Sequence, residues 1–310
     1  MTRFVLKRLA LFPVIIILAN FLGFAYAYYI GPRTGLDNPY SSSSGRIETI
    51  RLLPAYADYV QGVFSGNLGE MPNTELISTV VTKSALNSLV LLALALAFSI
   101  LFGLLGGLAA VRPRPPRVAT WLTLFSTVGL AAPSFYIGIL LISLSVMYVI
   151  WGPTSSPLVP FQGYGWDAHL VLPVLALMVQ PAVKIAQVTA NLLVDEMGKQ
   201  YIVAALSMGH TLSAIRRHYA LRNVMAPVVL VIAGSLRFMV AELIIIERLF
   251  DWPGFGRLFS TTIVLTSHSE NYLFIPLMAA MLTLLAVLYY VADMVASILA
   301  RVYDPRLERD

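Results

Sequence analysis

The sequence predicts an all-α integral membrane protein with six spanning helices. Three observations carry that reading. Of 310 residues, 58% are hydrophobic and only 12% are charged, against about 25% charged in a soluble domain. Mean hydropathy is +0.78. The apolar residues also fall into runs of about 20 or more, the length a helix needs to cross a hydrocarbon core roughly 30 Å thick. Those runs are Leu9–Ile30, Leu86–Val111, Val118–Ile150, Leu170–Val194, Val224–Ile246 and Leu273–Leu299.

The first run follows a basic start and contains Ala25-Tyr26-Ala27, which is similar to a signal-peptidase site. It is longer than a signal-peptide core and five further runs follow it, so it reads as a span. Pro32 to Lys83 is a loop of mixed character. Asp37-Asn38-Pro39 and Ser41–Gly45 signal turns, Ile47–Phe64 has apolar residues at helical spacing, and Phe64–Gly69 is a turn. From Thr74 a short helix is expected to lead into the second span. The loop serves either as a lid for a docking protein or as a cap over helix ends.

After the second run, Val111-Arg112-Pro113-Arg114-Pro115-Pro116-Arg117 makes a stiff basic turn, because proline prevents helix continuation. The third run is too long for one straight span and holds Pro133. It predicts a tilted or kinked helix, or a span with an interfacial extension. Trp151–His169 is a Gly/Pro-rich loop whose Trp151, Phe161, Tyr164 and Trp166 suit a membrane-interface belt.

Between the fourth and fifth runs lies a polar, Arg-bearing insert, QYIVAALSMGHTLSAIRRHYALRNVMAP, from Gln200 to Pro227. Most membrane crossings are joined by shorter turns. The insert predicts a short helix whose face is built from Ala204, Ala205, Leu206 and Met208. Gly209 would end that helix, His210–Leu221 would return the chain, and Pro227 would stand near the start of the fifth span. A helix resting on the lipid surface is the plainer alternative.

Orientation follows from the 21 Lys and Arg residues. With the N-terminus in the cytoplasm, 13 fall on that side, 5 on the other, and Lys83, Lys184 and Arg237 lie in or beside spans. The positive-inside rule then places both termini in the cytoplasm. The net charge of +5 therefore orients the chain among membrane lipids, and no nucleic-acid partner is expected. The division expected is 1–30 for the N-terminal segment and first helix, 31–83 for the external loop, 84–300 for a five-helix core, and 301–310 for a cytoplasmic tail.

Catalytic chemistry finds no support. There are no cysteines, the four histidines (His169, His210, His218, His268) are scattered, and no metal-site, nucleophile-elbow or Walker A pattern occurs. No catalytic residue, bound metal or ATP site is expected in this chain. The ionisable residues within spans are more informative, because such groups are costly there and usually functional. Lys184, Arg237 and Glu242 either line or gate a pathway, with a charge pair among them, or pair internally to fix helix packing. Asp293 reads as structural. Trp252-Pro253-Gly254-Phe255-Gly256 is a compact reversal whose Trp252 and Phe255 suit interfacial anchors.

Several motifs in order resemble the B-type permease subunit of oligopeptide/dipeptide ABC importers. They are Arg3-Phe4-x-x-Lys7-Arg8-Leu9, Leu130-Ala131-Ala132-Pro133-Ser134-Phe135 and Gln200-Tyr201-Ile202 through Gly209. Arg217-His218-x-Ala220-Leu221-Arg222-Asn223 with Pro227, Glu247 through Leu258, and Asp304-Pro305-Arg306 complete the match. The resemblance implies a type I ABC importer transmembrane fold with a cytoplasmic coupling helix, in a bacterial or archaeal plasma membrane. It implies a second homologous permease, two cytoplasmic ATPase subunits that hold ATP and Mg, and an extracytoplasmic substrate-binding protein. Val203, Ala204, Ala205, Leu206, Met208, Gly209 and His210 would then meet the ATPase. This loop departs from the family pattern. Val203 stands where the superfamily's Glu-Ala-Ala has its Glu, and Leu206, Ser207 and Met208 replace basic residues, so the contact is expected to be more apolar. The implied cargo is di- or oligopeptides, with nickel complexes or oligosaccharides as alternatives. A self-sufficient secondary transporter would need inverted repeats and a midplane site between broken helices, and neither is evident.

Overall fold

The structure, a computed structural model, describes residues 2–30, 52–71, 74–113, 115–153, 156–263 and 274–303. Eleven α-helices account for most of these residues. Six helical segments are long and apolar enough to cross a membrane: Arg8–Ile30, Ile77–Ala109, Ser134–Trp151, Ala168–Met197, Leu212–Leu249 and Ile275–Tyr303. The turn signals at 37–45 and the motif at 304–306 lie outside the described residues.

The chain divides into two compact units, Met1–Val90 with Asp251–Val291, and Leu91–Phe250 with Ala292–Asp310. The first unit contains α1 (Thr2–Ile30), α2 (Leu52–Phe64), the start of α3 (Ile77–Ala109), α10 (Phe255–Ile263) and most of α11 (Ile275–Tyr303). Phe24, Ala27 and Tyr28 of α1 pack on Tyr59 of α2 and on Ile275, Met278 and Ala279 of α11. Asn20, a polar residue within a span, is fully used: its amide donates to Thr283 Oγ1 (3.0 Å) and accepts from Tyr56 OH (3.1 Å). Pairing of this kind is what makes a polar group tolerable inside a bilayer. The short helix expected from Thr74 is instead the start of α3, which runs unbroken for 33 residues. Thr82 and Lys83 are polar, but nothing in that stretch breaks a helix.

The second unit holds the rest of α3, a two-stranded hairpin, α4 (Thr120–Ala131), α5 (Ser134–Trp151), α6 (Val171–Met197), α7 (Gln200–Ser207), α8 (Leu212–Ile215) and α9 (Leu221–Leu249). The basic turn is that hairpin, β1 (Val111–Pro113) against β2 (Pro116–Val118), with Arg112 opposite Arg117. The long third run is two helices and not one kinked one. Ala132 and Pro133 are both extended, with ψ of 118° and 151°, and Pro133 caps α5. Proline disfavours helical backbone at the residue before it, which explains the clean break.

Helix α6 is the hub of this unit and packs on α4, α5 and α9. Against α3 it makes a close approach at two glycines. A Cβ on Gly103 would lie 2.7 Å from Ile185 Cβ, and one on Gly107 would lie 2.8 Å from Thr189 Cβ. This Gly-x-x-x-Gly stripe lets the two backbones touch, the device by which membrane helices gain packing without a hydrophobic driving force. The stripe is plain in the sequence as Gly103 and Gly107, four residues apart.

Candidate functional site

The insert between α6 and α9 folds as an elbow. Gln200–Ser207 forms α7, as the short-helix expectation required, and it ends where Gly209 adopts φ +87°. The closing bonds run from Gly209 N–H to Leu206 O (3.0 Å) and from His210 N–H to Ala205 O (3.2 Å). This is the Schellman pattern, in which a left-handed glycine satisfies the last carbonyls of a helix. Thr211 then caps α8, its hydroxyl accepting from Ala214 N–H. From Leu212 the chain passes through a π turn at Arg216–Ala220 directly into α9. The return helix and the fifth span are therefore one continuous rod. Pro227 is the seventh residue of α9, where it withdraws one helical bond from the Asn223 carbonyl.

The two faces of α7 differ sharply. Ile202 and Ala205 are buried, and with Ile215 and Ala220 they join Leu193 and Met197 of α6 and Ala110, Ala119 and Leu122 in one apolar core. Val203 and Met208 are 63% and 73% exposed. Ala204, Ser207, Gly209 and His210 are exposed with them, while Leu206 is half-buried. Of the face expected from Ala204, Ala205, Leu206 and Met208, only Ala205 is buried. Ala205 points into the core because helical geometry sets it over Ile202, three residues earlier on the same side. Val203, one position before the Ala pair, joins the outward surface.

The elbow is tied to the membrane helices through one carboxylate. Glu196, buried near the end of α6, accepts from Tyr201 OH (2.9 Å) and Asn223 Nδ2 (3.0 Å) and pairs with Lys199. Tyr201 belongs to α7 and Asn223 to α9, so this side chain binds three elements together. Burial, and then the hydrogen bond to Glu196, hold the Tyr201 phenol above its ordinary pKa, so it remains a donor. Sequence reasoning missed Glu196. A signal was available: a carboxylate in the last turn of a helix opposes the macrodipole there and calls for compensating partners.

The three candidate pathway residues do not come together as a charge pair. Arg237 Nη1 donates to Asp293 Oδ1 at 2.7 Å, linking α9 to α11 within the second unit. Asp293 is the partner that Arg237 required, 56 residues away in the chain and so invisible to local reading. Glu242 is half-buried, and its Oε2 has no hydrogen-bond partner among the described residues. Lys184 stands at the wall of a cavity of about 390 Å³ with Gln180, Gln187, Ser235 and Phe238.

The reversal at 251–256 also differs from expectation. Trp252 and Phe255 are 0% and 1% exposed, so they are core residues and not interfacial anchors. Trp252 Nε1–H donates to Asn87 O (3.3 Å), Asn87 Nδ2 donates to Pro253 O (2.9 Å), and Phe255 N–H donates to Ser88 Oγ (2.7 Å). Among the described residues no group of three or more His, Cys, Asp or Glu side chains gathers as a metal site.

Comparison with known proteins agrees with this architecture. The family model for the binding-protein-dependent transport system inner membrane component matches residues 99–309. The oligopeptide transport system permease protein AppB of Bacillus subtilis (strain 168) is 29% identical over 293 residues, 89% of each chain. The dipeptide transport system permease protein DppB of Lactococcus lactis subsp. cremoris (strain MG1363) is 25% identical over 317 residues, 99% of each. A chain of the inward-facing MetNI methionine ABC transporter shares the fold, with a TM-score of 0.54, 20% identity, and coverage of 73% of this chain and 97% of that one. With six apolar helices, an outward-facing elbow and a family match over more than half its length, the chain belongs to the binding-protein-dependent transport system inner membrane components, as a non-catalytic permease of the ABC-importer type.

Proposed function

We propose that this permease forms one half of a peptide-importing channel and that its elbow is the handle by which two cytoplasmic ATPases drive it. A second, related permease supplies the other half, and an extracytoplasmic binding protein delivers cargo. Both termini and the elbow face the cytoplasm, where the Lys and Arg excess is expected to lie. The observation that carries the reading is the division of α7. One face is locked into the α6 and α9 core, and the other offers Val203 and Met208 to solvent. Exposed apolar side chains on a rigidly held short helix outside the spans suit an interaction surface. Force applied at that surface passes into α6 and α9 through Glu196, Tyr201 and Asn223, and rigid-body movement of spans is an established way to switch access. Oligopeptide, dipeptide and glutathione permeases among the relatives support peptides as the cargo class. The experiment is reconstitution of the four-subunit complex with its binding protein in liposomes. ATP-dependent accumulation of a labelled dipeptide is expected. Uptake that persists without the ATPase subunits overturns the reading in favour of a self-sufficient transporter.

A further inference from the structure

A second site lies at the middle of the fourth span. Lys184 is the fourteenth of the 27 residues of α6, and a charged group at that depth is costly unless it meets a partner or a wet cavity. No carboxylate among the described residues pairs with it. It lines instead a cavity of about 390 Å³ whose walls also carry Gln180, Gln187, Ser235, Val188 and Phe238, within the range of small-ligand pockets, about 300–1,000 Å³. Gln180 is committed on one side only. Its Nε2 donates to Leu130 O at 3.3 Å, while its Oε1 is buried and accepts nothing among the described residues. A buried acceptor left open is costly, so this one is poised for a donor that the described residues do not supply. Ser235 Oγ gives its hydrogen to Val231 O (2.8 Å), which leaves its oxygen as a further acceptor. The wall thus offers one cation, the acceptors of Gln180 and Ser235, and the amide of Gln187 on an otherwise apolar background.

We propose that this cavity binds the C-terminal residue of a peptide in transit. Its carboxylate pairs with Lys184, its amide N–H donates to Gln180 Oε1, and its side chain lies against Val188 and Phe238. The complement is specific in kind. An isolated anion would satisfy Lys184 and leave Gln180 open, and an uncharged sugar would leave Lys184 unpaired. A peptide terminus carries both functions a few bonds apart. The proposal rests on the peptide-import reading, but its test does not need transport to work.

The test is photolabelling of the intact complex in nanodiscs with a tripeptide bearing a photoreactive leucine, followed by mass spectrometry of the adducts. Label is expected on the segments holding Leu130, Val188 and Phe238. An unlabelled free-acid tripeptide should compete it away, and the same peptide amidated at its C-terminus should compete at least about tenfold less well, the loss of one charge-assisted contact. Lys184→Gln should abolish that preference, and Lys184→Arg should keep most of it. Ser235→Ala, a smaller change, should weaken labelling by severalfold and covers the case in which Lys184→Gln fails to assemble. Equal competition by acid and amide, label elsewhere, or label lost once phosphatidylglycerol is added to the discs each overturns the proposal. The last outcome would make an anionic lipid the occupant. Failure of ATP-driven uptake with acid-selective labelling intact would instead count against the import reading alone.

Discussion

The elbow at 198–221 and the reversal at 251–263 are built from similar materials and come to opposite outcomes. Both join helices, both use glycine, and both carry large apolar side chains. In the reversal those side chains are sealed inside: Trp252 and Phe255 are buried, and Asp251, at φ +56°, is held by Arg257 at 2.7 Å. In the elbow Met208 and Val203 stand in the open, above a core of fully and nearly fully buried residues. The reversal is complete within its own unit. The elbow is complete only on one side, and its exposed face is what a partner would cover. Glycine and aromatic content cannot separate the two cases. The packing partners of each residue do.

That contrast can be broken or sharpened by substitution, and the largest effect belongs to the reversal. Trp252→Ala should cost about 3–5 kcal/mol, the range for deleting a buried aromatic, and should appear as early loss of the monodisperse complex on heating in detergent. A near-normal melting profile would show that the reversal is not sealed as described. Gly103→Leu, at the α3–α6 contact, forces atoms into the Ile185 side chain and should cost about 1–3 kcal/mol, measured by the same assay. Glu196→Ala leaves Tyr201 and Asn223 without their shared acceptor and should also cost about 1–3 kcal/mol. Its distinguishing sign is ATP hydrolysis that continues while transport falls. Glu196→Gln keeps an acceptor for both donors and should recover part of the coupling. Gly209→Ala places a side chain at φ +87° and should cost about 1 kcal/mol, seen as a small shift in melting temperature. Smallest in stability, within about 0.5 kcal/mol, is Met208→Ser, yet it should weaken retention of the ATPase subunits during purification. A Met208→Ser complex that retains them fully would return the elbow to the same class as the reversal.

The legible parts of the fold were those set by long-range composition. Six apolar runs became six spans because a bilayer leaves few alternatives to a helix. Pro133 marked the break in the third run, although its form, two helices with an extended joint, depends on the backbone of Ala132 as well. The end of α7 was legible because only the residue after Met208 is a glycine. The continuity from Leu212 into α9 was hidden by Pro227, which looks like a starting signal and is in fact tolerated inside the rod. Ala205 turned inward because a helix face is set by three-residue spacing, whereas the motif is written as neighbours. Glu196 with Asn223, and Arg237 with Asp293, are contacts 27 and 56 residues apart, and no local pattern announces them.

The π turn at Arg216–Ala220 has a consequence for any attempt to re-engineer this protein. It takes up one residue more than an α-helical turn would, and each residue of an α-helix advances the azimuth by about 100°. Deleting a single residue there would restore a regular rod but swing Leu212–Ile215, and the elbow before them, about a quarter-circle around the axis. Ile215 would leave its socket and Met208 would aim at a different bearing. Chimeras that exchange this elbow with another permease should therefore keep the five-residue turn whole, since a graft that matches sequence but loses the extra residue would deliver the right surface in the wrong direction.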